Sequence, residues 1–371
     1  MKIITTTLAV LLLFLATVNL HSEEAKKNNI QLAILLDTSN SMDGLINQAK
    51  TQLWKIVNEL ARSQKNGEEV NLNVALYEYG NDGLDSDGGF LRQVTPLTND
   101  LDLISDELFK LTTNGGSEYC GTVIKAAVNE LNWSADNNDL KIIVISGNEP
   151  FTQGDIDFRN SCKDAISKGI IVNTIFCGDY NEGINTSWKE GADLADGKYM
   201  NIDQNQAIVH IDAPQDDELV RLGQQLNETY IAYGSHGKQY KERQAAQDSY
   251  SMKVSPSVMA ERALSKAGGQ YKNESWDLVD AEEEGVVNLD DIDKDILPDT
   301  LKKMSEEELK NYVAQMKEKR QQIQDRIKEL NKAREKYVAK KQIDNQDNTF
   351  DSELIKAMKE QAKKKNFDFK K

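Results

Sequence analysis

The stretch Ile30-Gln31-Leu32-Ala33-Ile34-Leu35-Leu36-Asp37-Thr38-Ser39-Asn40-Ser41 sets one carboxylate and two hydroxyls at the end of an apolar run. Ile30 to Leu36 is mostly Ile and Leu, the composition of a strand buried on both faces of a parallel sheet. Gly44 to Lys50 then opens an amphipathic helix that continues through Leu53, Trp54, Val57 and Leu60. Open α/β sheets place their ligands in the loops at the carboxyl ends of parallel strands. The D-x-S-x-S string of Asp37, Ser39 and Ser41 offers hard oxygen donors without His or Cys, which suits Mg²⁺, Mn²⁺ or Ca²⁺ rather than zinc. The plainer role for the same residues is local, because Asp and Ser are favoured at helix caps and in loops for their own hydrogen bonds.

Outward from this string, Ile30 to about Asp203 alternates apolar runs with amphipathic segments, the pattern of a doubly wound α/β sheet. Strands are predicted at Ile30 to Leu36, Asn71 to Tyr79, Phe90 to Val94, Lys141 to Ser146, Ile170 to Cys177 and Lys198 to Ile202. Helices are predicted at Gly44 to Arg62, Asp100 to Leu111, Gly121 to Leu131, Asp155 to Lys168 and Ile184 to Ala195. Between the second and third strands lies only Gly80 to Gly89, too short for a crossover helix, so these two strands form an antiparallel hairpin at one edge of a mostly parallel sheet. Asp82, Asp85 and Asp87 in that connection read as turn residues.

The string Leu35-Leu36-Asp37-Thr38-Ser39-Asn40-Ser41-Met42, the helix after it, the edge hairpin and the Gly115-Gly116-Ser117-Glu118 loop together resemble a von Willebrand factor type A domain, over about half of the chain. That resemblance implies a Rossmann-like fold with a metal-ion-dependent adhesion site. Asp37, Ser39 and Ser41 match its first loop, and Ser117 falls where the family usually has Thr. The third loop departs from the family, since Ser146-Gly147-Asn148-Glu149-Pro150 carries Gly147 where an Asp is usual. Asn148 or Glu149 is the candidate to supply an oxygen there. The resemblance further implies a protein-binding or adhesion module in which the cation accepts an acidic side chain of a protein ligand.

From Ala213 the texture changes to a helical and polar region. Asp216 to Tyr233 is predicted as one helix with Leu219, Leu222, Leu226, Tyr230 and Tyr233 on its apolar face. Lys241 to Asp295 reads as short helices and loops of uncertain order, and Asp290, Asp291, Asp293 and Asp295 as a solvated acidic turn, because the Gly and terminal Glu of a calcium loop are missing. Ser305 with Glu308 forms a capping box. Behind it, Leu309, Val313, Met316, Arg320, Ile323, Ile327, Leu330, Arg334 and Tyr337 follow alternating gaps of four and three, a heptad seam on a long helix. This seam offers self-association, although Arg320 and Arg334 on it favour an intrachain helical hairpin or a coil whose arginines meet acids. Asp351 to Lys364 reads as one more helix with Leu354, Ile355 and Met358 facing inward. The organisation expected is therefore residues 1–22 as a signal peptide, 30–212 as the α/β domain, 213–300 as a helical and polar region, and 301–371 as the heptad helix and a final helix.

The chain has 371 residues with a formal charge of −16 and 39% hydrophobic content. That acidity argues against nucleic acid as a partner, since binding phosphates needs clustered Lys and Arg. Met1-Lys2 followed by Leu8 to Val18 has the length of a secretory apolar core, so export to a periplasm or the exterior is expected, with an uncleaved N-terminal anchor as the alternative. Cys120, Cys162 and Cys177 allow three disulfide pairings or three buried thiols. No enzyme is expected: the three histidines, His21, His210 and His236, sit in no catalytic pattern, and no G-x-S-x-G, Walker or zinc-protease string occurs. A small-molecule substrate is not expected either. The alternatives are a metal-independent scaffold that recognises partners through its helical C-terminal region, a surface adhesin for a matrix or host ligand, and a thiol enzyme at Cys120, whose place at a helix start would lower its pKa.

Overall fold

The computed structural model describes residues 28–202, 211–345 and 350–369. The predicted signal segment, with His21, and also His210, lie outside the described residues. The strands are β1 (Asn29–Asp37), β2 (Ser63–Lys65), β3 (Glu68–Glu69), β4 (Asn71–Tyr79), β5 (Leu91–Thr98), β6 (Leu140–Gly147), β7 (Ile170–Cys177), β8 (Tyr199–Ile202) and β9 (Asp368–Phe369). The helices are α1 (Asp43–Ala61), α2 (Leu101–Lys110), α3 (Cys120–Glu130), α4 (Phe158–Ser167), α5 (Tyr180–Asn185), α6 (Trp188–Asp193) and α7 (Asp216–Asn227). After them come α8 (Gly237–Val254), α9 (Pro256–Lys266), α10 (Leu278–Glu283), α11 (Asp299–Lys302), α12 (Glu306–Asn345) and α13 (Phe350–Lys364).

Six strands form the main sheet in the order β5-β4-β1-β6-β7-β8. All neighbours are parallel except β5, which pairs antiparallel with β4 as the short Gly-rich connection requires. β6 and β7 are buried at every position, which is why their sequences read as unbroken apolar runs. One face of the sheet packs on α1 and α2 through Leu45, Leu53, Trp54, Val57, Ile104 and Leu108. The other face packs on α3 and α4 through Val123, Ile124, Phe158 and Cys162. Strand order reverses between β1 and β6, the place where doubly wound sheets leave a crevice at their carboxyl ends. Register then fixes what meets there: Asp37 pairs with Tyr79, and Leu36 with Ser146, one residue before Gly147.

One expectation for the second half is corrected. The helix predicted over 216–233 ends at Asn227, and Ala232 instead pairs with Asp277 in an isolated bridge. Lys241 to Asp295 is helices and loops as expected, but its first helix, α8, is long, spanning 18 residues. Its buried face is made of Gln244, Gln247, Asp248 and Ser251, so no apolar periodicity announces it. The capping box is present, the Ser305 backbone N–H donating to Glu308 Oε2 at 2.8 Å and the Glu308 N–H to Ser305 Oγ at 3.3 Å.

The heptad seam of α12 packs against this chain itself, the intrachain arrangement that its two arginines favour. Leu309 and Val313 pack with Leu278, Val279 and Leu301, while Ile323 and Ile327 pack with Leu222, Leu226 and Tyr230. The two seam arginines meet acids: Arg320 reaches Asp277 at 2.8 Å and Asp280 at 2.5 Å, and Arg334 reaches Asp216 at 2.6 Å and Glu261 at 2.5 Å. The final helix returns to the first domain. Leu354, Ile355, Met358, Ala362 and Phe367 join the same core cluster as α1 and β1, and β9 pairs with β2 in a small three-stranded sheet that includes β3. None of the described helices is long and apolar enough to cross a membrane.

Candidate functional site

Asp37 is the last residue of β1 and is fully buried, with 0% of its surface exposed. The chain leaves the strand by a tight turn in which Asp37 Oδ1 accepts the Ser39 backbone N–H at 2.8 Å. A 3-10 turn over Asn40–Met42 follows and leads into α1. Ser39 Oγ and Ser41 Oγ lie 3.2 Å apart, and Asn148 Nδ2 donates to Ser41 Oγ at 3.2 Å. Asp37 and Ser39 are thus buried and Ser41 exposed at the switch point between the ends of β1 and β6, the crevice position of a doubly wound sheet. Asp37 Oδ2 is buried without a hydrogen-bond partner. An orphaned carboxylate oxygen in the interior costs free energy unless something positive or proton-bearing meets it.

The Gly-Gly loop closes the second side. Asn40 N–H donates to the Gly115 carbonyl at 3.0 Å and Asn114 N–H to the Thr38 carbonyl at 2.9 Å, so this loop is tied directly to the first. Gly115 has a φ of +81° and a Cβ there would lie 2.1 Å from Asp82 Cγ, which leaves glycine as the residue that fits. Ser117 sits beside the crevice through its backbone, in a bridge with Gly80. Gly147 ends β6 in the place expected for an acid. Glu149 meets the site with its backbone N–H, which donates to Glu118 Oε2 at 3.3 Å, while its carbonyl accepts from Trp188 Nε1 at 2.8 Å. Of the six residues singled out by sequence, the structure gathers Asp37, Ser39, Ser41 and Asn148 by their side chains and Ser117 and Glu149 by their backbones.

Glu118 is the residue that sequence reasoning missed. Its side chain is buried and lies on the Asp37 side of the loop: a Cβ placed on Gly80 would be 2.8 Å from Glu118 Cγ and 2.7 Å from Asp37 Oδ1. Burial, and next the facing Glu118 carboxyl, hold Asp37 well above the ordinary carboxylate range, against the pull of the Ser39 N–H. Burial likewise raises Glu118. Two acids facing each other in a dry crevice do not both ionise unless a positive species joins them. The available signal was an acid next to Ser117 in a chain whose third loop has lost its own.

The thiol reading finds no support in the geometry. Cys120 does open α3, as expected, but it is buried, and burial pushes its thiol well above its ordinary range, against the pull of the Tyr79 hydroxyl 3.8 Å away. Burial outweighs the helix terminus. Cys162 and Cys177 are also buried, and all three cysteines are free, the buried-thiol alternative of the two.

The donors converging on the crevice are oxygens, as a hard divalent cation requires, and the orphaned Asp37 Oδ2 marks where positive charge is wanted; the residues fit such an ion. Among the described residues no group of three or more His, Cys, Asp or Glu forms a metal cluster, so any cation here would depend on hydroxyls and water as well as carboxylates. Residues 31–201 match the von Willebrand factor type A domain family. Compared with curated protein sequences, the chain matches none. Among solved structures, it is similar to a conserved hypothetical protein BatB from Bacteroides thetaiotaomicron, at 17% identity over 47% of this chain and 90% of that one, with a TM-score of 0.37. An aerotolerance-related membrane protein from Bacteroides fragilis gives 18% identity over 47% and 92%, with a TM-score of 0.33. Proximal thread matrix protein 1 from the mussel byssus, whose metal-ion-dependent adhesion motif is occupied by zinc, gives 12% identity over 48% and 43%, with a TM-score of 0.37.

Proposed function

We propose, from the premise that residues 31–201 form a von Willebrand factor type A domain, that this protein is an exported, non-enzymatic binding module that captures an acidic side chain of a protein partner at a divalent-cation site. Domains of this family are typically protein-interaction modules. The observation that carries the reading is Asp37: fully buried, with one oxygen unpaired, below the hydroxyls of Ser39 and Ser41. In this reading Asp37, Ser39, Ser41 and Ser117 hold Mg²⁺, with Mn²⁺ or Ca²⁺ as substitutes, and Asn148 and Glu149 shape the far side. When bound, the cation supplies a positive charge with an open coordination position for a partner's carboxylate. Asp37 orients the loop through the Ser39 N–H, and Asn148 holds the Ser41 hydroxyl at the mouth. The surrounding loops near Asn81, Ser117 and Glu149 would set specificity. Residues 1–22 would serve export, either cleaved or retained as an anchor.

The test is isothermal titration of the full chain with Mg²⁺ and Mn²⁺, comparing wild type with Asp37→Ala. Wild type is expected to bind one ion with a matching rise in melting temperature, and Asp37→Ala to lose both. No heat from wild type, with no change in melting temperature, would leave a metal-independent scaffold as the function.

A further inference from the structure

Gly147 removes one acid from the crevice, and the structure brings another in from a different loop. We propose that Glu118 supplies the second carboxylate of the cation site; this rests on the reading that a cation binds at Asp37. Four observations carry it.

Glu118 is buried although the loop that bears it lies at the protein surface, and its Oε2 accepts the Glu149 N–H at 3.3 Å rather than facing solvent. Among the described residues neither Asp37 nor Glu118 is in an ion pair with a Lys or Arg. The fully buried Asp37 Oδ2 is separately left without a hydrogen-bond partner. The backbone around them is shaped to let the two acids meet. A Cβ on Gly80 would lie 2.7 Å from Asp37 Oδ1 and 2.8 Å from Glu118 Cγ, at a φ of +80°.

Glu118 is also held in place from two sides. Its backbone N–H donates to Gln153 Oε1 at 2.6 Å, and its Oε2 accepts the Glu149 N–H at 3.3 Å. The carboxyl thus spans the first loop, the Gly-Gly loop and the loop after β6. With Glu118 included, the donors are two carboxylates plus the Ser39 and Ser41 hydroxyls, a set that a hard divalent cation completes with water.

The experiment is calorimetric titration with Mn²⁺ and Mg²⁺, with melting temperatures, on full-length wild type, Glu118→Gln and Asp37→Ala. The expected result is at least a tenfold weaker affinity in Glu118→Gln, with a cooperative metal-free melting transition that shows the variant is folded. Wild-type affinity in Glu118→Gln would overturn the inference while the cation site itself stands. Absence of binding by wild type would overturn both. Anomalous diffraction from wild-type crystals soaked in Mn²⁺ gives a reading that does not depend on the variant folding: a Glu118 oxygen bound to the ion directly or through one water is expected, and an ion remote from Glu118 would overturn the proposal.

Discussion

Gly147 stands where the family resemblance implies an acid, and one distance accounts for its lack of a side chain. A Cβ at this position would lie 2.6 Å from the Tyr79 hydroxyl and 3.1 Å from Asp37 Oδ2. Tyr79 is buried and donates to the Ser146 carbonyl at 2.9 Å, so its ring cannot simply swing away. Restoring the family residue by Gly147→Asp should therefore destabilise the fold by about 1–3 kcal/mol through overpacking. Tyr79→Phe, which deletes the obstructing oxygen, should recover part of that loss, so the double variant is more stable than the sum of the single changes predicts. Urea denaturation of the four proteins measures this cycle, and strict additivity would mean that Tyr79 is not what excludes a side chain at 147. The same residues show what sequence can disclose about the site. Asp37, Ser39 and Ser41 were legible because their spacing is local. Glu118 was not, because its role depends on a loop folding back 81 positions after Asp37 to face it.

At the scale of elements, legibility followed the source of burial. β1, β6 and β7 were plain in the sequence because Ile, Val and Leu fill both faces of the central strands, whereas α8 was hidden because it buries amides, a carboxylate and a hydroxyl. The tiny β2, β3 and β9 were missed because two or three residues carry no period to detect. The seam of α12 was legible as a pattern, but its partner was not, since heptads specify a complementary surface without saying whose it is. The arginines in that seam lead to a pH prediction. Burial first, and then the neighbouring Asp277 carboxylate, push Asp280 up to about 6 against the pull of Arg320. An acid whose folded value exceeds its unfolded value of 3.8 contributes stability that is complete below about pH 4 and is lost as pH rises through 6. Between pH 4 and 7, wild type should thus lose on the order of 2–3 kcal/mol relative to Asp280→Asn, read as the difference between the two denaturation curves at each pH. A difference that stays flat over this range would show that Asp280 titrates as an ordinary carboxylate.

On the scale of the whole molecule, the family match at residues 31–201 does not coincide with the body that packs together. Arg262 of α9 is fully buried between Asp102 of α2, at 2.5 Å, and Asp248 of α8, at 2.9 Å, with its guanidinium 4.4 Å from the Trp54 ring of α1. Lys266 pairs with the same Asp248 at 2.7 Å, also fully buried. A network of two cations and two anions in the interior is costly to break from one side, and here it joins the α/β domain to the helices after it. The C-terminal segment makes a second joint of a different kind. Leu354, Met358, Ala362 and Phe367 enter the core that α1 shares with the sheet, and β9 adds a strand beside β2. Each large apolar side chain withdrawn from water stabilises the fold by about 1.5–3 kcal/mol. Several together rival the 5–15 kcal/mol by which a typical domain is stable. Deleting residues 350–371 should therefore lower the melting temperature by more than about 10 °C or abolish a cooperative transition, with binding of a hydrophobic dye to the uncovered face of α1. Phe367→Ala, a milder cut at a fully buried ring, should cost about 3–5 kcal/mol. A truncated protein that melts like the full chain would show that α13 and β9 merely rest on a self-sufficient domain, and the cation measurements could then be made on residues 28–345 alone. A collapse on truncation would mean instead that the crevice at Asp37 is supported by sequence more than 300 positions away, through α1, whose first residues follow the Asp37 loop directly.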